Sequence, residues 1–272
     1  MSRFEWIELQ RTWAAAPPET QAPDAAPTDG PGCYRAARKL REAGYFEVAA
    51  KFYEKAIGFD EHHYPAWVEL IDSLVRAGRL AEADKQSQDA LQNYRQVRVY
   101  YASRALVLGH QRRFADAMQH SDISVAGTEQ VWYARCVRAE LLLMQDRGYR
   151  EEALRLLEEA LSMSDDPWQT YFLGGGCLAA ADFPTYAASF FAEAAHFNPR
   201  SFISWVCLGD AFHALRLDDQ ALFYYERAAE LNPDNEWLKD RMKAARKRAF
   251  GLLHAFLPVE LKERWRKLSG QA

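Results

Sequence analysis

Residues 205–233 read WVCLGDAFHALRLDDQALFYYERAAELNP. Trp205, Leu208, Gly209 and Phe212 are grouped at helical spacing. Ala221, Tyr225 and Ala228 form a second group, and Pro233 closes the stretch. Working outward, Pro199 stands 34 residues before Pro233, and the alanine-then-aromatic pair Ala221/Tyr225 recurs as Ala187/Phe191 and Ala49/Tyr53. Trp67 holds the same place before Ala83 that Trp205 holds before Ala221. Self-similarity at a fixed period of this size marks a repeat architecture. Counting back from Phe202 places unit starts at Trp168, Trp132, Arg98, Tyr64 and Gly30. Five units span 34 residues; the unit from Trp132 needs 36, with its two extra residues near Asp146–Tyr149, where a turn absorbs them at little cost.

The order Trp205, Leu208, Gly209, Phe212, Ala221, Tyr225, Ala228, Pro233 resembles the tetratricopeptide repeat. The resemblance covers about three quarters of the chain and is clearest in the sixth unit. Units three and four are the most degenerate; Ser121 and Ser124 stand where an aromatic and an alanine are expected. The resemblance implies an all-α fold, a right-handed α-solenoid of about six helix-turn-helix units over residues 30–235. Small residues at the eighth position (Ala37, Ala105, Ala139, Gly175, Gly209) and the twentieth (Ala49, Ala83, Ala117, Ala153, Ala187, Ala221) then mark where paired helices approach closely. No unit buries its apolar face alone, so stability is a sum of nearest-neighbour interfaces.

Residues 236–272 read as C-terminal capping helices that cover the last apolar face, interrupted at Pro258. They carry the basic cluster Arg246, Lys247, Arg248. Ten basic and three acidic residues lie between Lys239 and Lys267, in a chain whose net charge is −4. A basic tail on an acidic body raises contact with lipid or nucleic acid as an alternative function, lipid ranking first because Phe250 alone supplies an aromatic near the cluster. At the other end, residues 1–13 read as an amphipathic helix with Trp6, Leu9 and Trp13 on one stripe, and residues 14–29 as a Pro/Ala-rich linker. That stripe is expected to dock on a protein surface, in the same chain or by self-association with a second copy.

Composition narrows the class further. No run approaches the roughly 18 apolar residues of a membrane-spanning helix, and the N-terminus mixes charges into its apolar residues, unlike a secretory signal. The expectation is a cytoplasmic protein. Cys33, Cys136, Cys177 and Cys207 form no C-x-x-C pair, so neither a metal site nor a redox motif is expected. Gly174-Gly175-Gly176 lacks the lysine and hydroxyl residue of a phosphate loop and reads as close helix packing with a possible flexible point. His62-His63 falls in a turn between units. No catalytic residues and no cofactor are expected.

Function is therefore sought on the surface that the resemblance implies: the concave face lined by the first helix of each unit. Positions two, five, nine and twelve of those helices supply Tyr34, Arg38, Arg41, Asp72, Tyr133, Cys136, Glu140, Gln169, Phe172, Asp210 and His213. They are expected to form a groove for a peptide or partner protein, basic toward the N-terminal end and acidic and aromatic toward the C-terminal end. One subset of the family grips C-terminal carboxylates with lysine and asparagine at positions five and nine of its first repeat. Tyr34 and Arg38 occupy those positions here, so that clamp is not expected. The reading is a non-catalytic scaffold or adaptor, chaperone-like in its mode of holding a partner.

Overall fold

A computed structural model describes residues 27–126 and 131–256, with side chains described up to residue 249. The expected N-terminal helix with Trp6, Leu9 and Trp13, most of the expected linker, and the segment after Phe256 lie outside the described residues.

The described chain is helical throughout and carries no strand. Six helix pairs follow one another: α1 (Gly30–Glu42) with α2 (Phe46–Phe59), α3 (Tyr64–Arg76) with α4 (Leu80–Asn93), and α5 (Arg98–His110) with α6 (Phe114–Val125). Then come α7 (Trp132–Gln145) with α8 (Arg150–Met163), α9 (Pro167–Ala180) with α10 (Pro184–Phe197), and α11 (Phe202–Ala214) with α12 (Asp218–Leu231). A single helix, α13 (Glu236–Phe256), ends the described chain.

Local chemistry starts the first helix of several units. Asp29, His63, Asp166 and Ser201 each accept a hydrogen bond from a backbone amide of the first turn. Pro31, Pro65 and Pro167 stand where a missing amide hydrogen costs nothing. Five units end their first helix alike, with one residue at positive φ: Gly44, Gly78, Arg112, Asp182 and Arg216. That residue and the next donate back to the last turn, as Gly44 N to Arg41 O at 2.9 Å and Tyr45 N to Leu40 O at 2.8 Å, and so satisfy carbonyls the helix leaves free. The fourth unit differs. Its first helix runs on to Gln145, and a 3-10 turn over Arg147–Tyr149 joins it to the second.

Close packing explains the small residues. A Cβ on Gly175 would lie 2.7 Å from the Phe191 ring and one on Gly209 2.5 Å from Tyr225, so the aromatic of each second helix rests directly on the glycine of the first. The triple glycine is continuous helix buried inside α9, and Gly174 and Gly175 pack closely on Phe190 and Phe191. One apolar core runs from the first unit into the sixth, and a second, smaller one packs Leu238 and Ala245 of α13 against Phe202, Val206 and Tyr225, with Trp205, Phe212 and Trp237 between the two.

The solenoid curls until its ends meet. Ser201 Oγ donates to the carbonyl of Glu42 at 3.3 Å, and Asn232 Nδ2 donates to the hydroxyl of Tyr45 at 2.7 Å. The Ile203 side chain sits over Gly44. The first unit therefore packs on the sixth.

Candidate functional site: the inner face

Because the ends meet, the inner positions of the first helices face one another across the curl. Arg41 of α1 reaches Asp72 of α3 at 2.7 Å and Glu69 at 3.5 Å. Arg76, one turn on from Asp72, binds it at 3.3 Å and Glu140 of α7 at 2.8 Å. His110 Nε2 of α5 lies 3.0 Å from the other oxygen of Glu140. Glu69 also accepts from Tyr34 at 2.8 Å, from Gln169 of α9 at 3.1 Å and from Tyr53. Arg38 pairs with Asp166 at the start of α9.

This arrangement corrects the expectation of an open, graded groove. Arg41, Asp72 and Glu140 are 3%, 1% and 5% exposed, so their charges are matched to one another and not offered to solvent. The basic end does not stand apart from the acidic one; ion pairs between non-adjacent helices cancel the gradient. Burial opposes ionisation of Glu140, but Arg76 and His110 outweigh it and hold the carboxyl at about 2. Burial also opposes the charge on Arg41 and Arg76; the neighbouring carboxylates raise both above the ordinary guanidinium value. Sequence spacing missed Glu69, Arg76 and His110. A usable signal exists: Glu69, Asp72 and Arg76 stand at i, i+3 and i+7, a charged stripe of mixed sign on one helical face.

The remaining inner residues divide in two. Tyr133 and Cys136 are buried beside the network, and burial pushes the Cys136 thiol well up. Phe172 stacks on Trp168 with ring centres 5.7 Å apart. Asp210 and His213 lie elsewhere, in the sixth unit, where α13 covers them. Asp210 accepts from Arg241 at 2.8 Å and from Tyr225 at 2.6 Å. His213 Nδ1 lies 2.6 Å from Asp218, which also binds Arg248 at 2.7 Å. Of the basic cluster, Arg248 is thus spent on the fold, whereas Arg246 and Lys247 are exposed.

Between the network and solvent lies a cavity of about 470 Å³. Arg41, Glu69, Asp72, Tyr133 and Gln169 line its polar side. Val68, Val99, Val131, Trp132, Met163 and Leu173 line its apolar side, with Tyr64 and Asp165 at the rim. All four cysteines are buried free thiols, and among the described residues no cluster of three or more His, Cys, Asp or Glu is placed to hold a metal ion. No described helix is long and apolar enough to cross a membrane.

Comparison with known proteins agrees with this architecture. A family model described as a tetratricopeptide repeat matches residues 204–235. The human protein O-mannosyl-transferase TMTC1 is 26% identical over 212 residues, which are 75% of this chain and 23% of that protein. The chain thus spans about a quarter of the curated relative it matches. Among solved structures, yeast Tom70 aligns with a TM-score of 0.53 at 14% identity, over 87% of this chain and 50% of that one. A tetratricopeptide repeat protein from Parabacteroides merdae aligns with a TM-score of 0.50 at 16% identity, over 89% and 92%. At these identities the likeness concerns the fold.

Proposed function

We propose that this chain, whose residues 204–235 match a tetratricopeptide-repeat model, is a non-catalytic scaffold that holds a peptide or partner protein on its inner face. The observation that carries this reading is the cavity of about 470 Å³ where the first helices of units one to five converge, because it is concave, largely apolar and edged by a few polar groups. The non-catalytic part rests on the chemistry of the inner groups. The Cys136 and Cys177 thiols are pushed up by burial, which disfavours the nucleophilic thiolate. Arg76 and His110 hold the Glu140 carboxyl at about 2, which leaves it a poor proton acceptor near neutral pH. Four free buried thiols suit a reducing compartment and support a cytoplasmic placement.

A photo-crosslinking amino acid placed at Trp132, on the cavity wall, or at Phe223, exposed on a second helix, tests the reading in cells that make the protein. A discrete crosslinked partner at position 132 and none at 223 is expected. Crosslinks at 223 alone would overturn it.

A further inference from the structure

Among the buried polar groups without a hydrogen-bond partner, two belong to residues that line the cavity: the Tyr133 hydroxyl and the Arg41 Nε. Tyr133 as a whole is 4% exposed. A buried donor without a partner is costly, and native proteins leave few of them. The Arg41 Nε only donates and the Tyr133 hydroxyl can donate as well as accept, so the group that complements both is a hydrogen-bond acceptor.

The charges around them restrict that acceptor. Glu69, Asp72 and Asp165 line the cavity against the one cation Arg41. The first two are saturated: Glu69 by Tyr34, Tyr53, Gln169 and Arg41, and Asp72 by Arg41 and Arg76. Asp165 differs, being exposed at the rim with no ion pair among the described residues. An anionic acceptor would enter a negative site; a neutral carbonyl would not. The apolar wall asks for a large apolar side chain beside that carbonyl, and the rim carboxylate for a cation.

We propose that the cavity reads a short extended peptide segment in which a large apolar residue is followed by lysine or arginine. The apolar side chain packs against Val68, Val99, Trp132 and Leu173, the adjoining backbone carbonyl accepts from Tyr133, and the basic side chain meets Asp165. This deepens the inner-face reading above and rests on it.

Selection from a displayed library of random dodecapeptides tests it with the intact chain, followed by titration of the most enriched synthetic peptide. Enriched sequences should share leucine, methionine or an aromatic directly before a basic residue. Asp165→Lys, at an exposed site, should weaken that peptide about tenfold, with the loss shrinking at high salt. Tyr133→Phe should weaken it roughly threefold to tenfold, the worth of one hydrogen bond, with no loss of melting temperature because the hydroxyl has no internal partner. Enriched peptides that are acidic, or whose binding ignores both substitutions, would overturn the assignment of the cavity. If their binding is still lost when a bulky residue replaces Val99, the inner face survives as the binding surface. A library yielding no binder would count against both readings.

Discussion

Two charged clusters lie in the same solenoid, one on first helices and one joining the sixth unit to α13, and they differ in what surrounds them. The central one, Arg41, Asp72, Arg76 and Glu140, is enclosed by facing first helices, and its side chains are at most 7% exposed. The terminal one, Asp210, His213, Asp218, Arg241 and Arg248, is covered on one side by α13, and its Arg248 side chain is 28% exposed. The units are built alike; the number of neighbours is not. The central cluster is therefore a set of obligatory partners, in which no member is tolerable alone, whereas the terminal one fastens the last helix and stays partly hydrated.

The largest effect should follow from breaking the central cluster. Arg76→Met leaves Asp72 and Glu140 buried with one cation fewer, and a loss of about 3–5 kcal/mol in urea unfolding is expected. Adding Glu140→Leu to that variant should recover part of the loss, since the remaining arginine and aspartate stay matched. A single-variant loss below about 1 kcal/mol would mean that water reaches the cluster and the contrast between the two regions fails.

Acid should separate the regions next. The Glu140 carboxyl is held at about 2, below its unfolded value of 4.5. Its contribution is therefore complete above the unfolded value and is lost as pH falls from about 4.5 to 2. On the scale of 1.36 kcal/mol per unit this is about 3 kcal/mol. In Glu140→Gln the stability-versus-pH curve should be flatter through that window; an unchanged acid limb would assign the effect to other carboxylates. Asp218 is also lowered: burial opposes its ionisation, but Arg248 and His213 favour it more. Its contribution has the same sign.

A smaller response is expected at the terminal cluster. Arg248→Ala removes the bidentate contact to Asp218 and leaves that buried carboxylate to His213; with the arginine itself partly hydrated the loss should be about 1–2 kcal/mol. Chemical unfolding measured beside Arg76→Met gives the comparison directly, and equal losses would erase it.

Smallest of all should be Arg246→Ala with Lys247→Ala, both exposed, which should change stability by less than about 0.5 kcal/mol. The same double variant tests the alternative role of the tail. Salt-sensitive sedimentation of the parent chain with phosphatidylserine vesicles, lost in the variant, would favour a membrane contact. Equal recovery of both proteins in the supernatant is the outcome expected from the inner-face reading.

Much of the fold was legible because it is local and repeated. The pairing of Gly175 with Phe191 and of Gly209 with Tyr225 is written in the spacing of small and aromatic residues, which any one unit displays. The helix-turn-helix character and the all-α class follow from the resemblance to the tetratricopeptide repeat that this spacing carries. The inner residues were legible as positions but not as partners. Arg41, Asp72 and Glu140 look like solvated residues on single helices, and nothing within one 34-residue period says that Arg76 will meet Glu140, 64 residues away, or that Arg38 will meet Asp166, 128 away. Those contacts depend on curvature, which accumulates from small rotations between neighbouring units. A repeat pattern fixes what each unit is; only the sum of its rotations decides whether the inner face stays open to water or turns its charges on one another, as it does here.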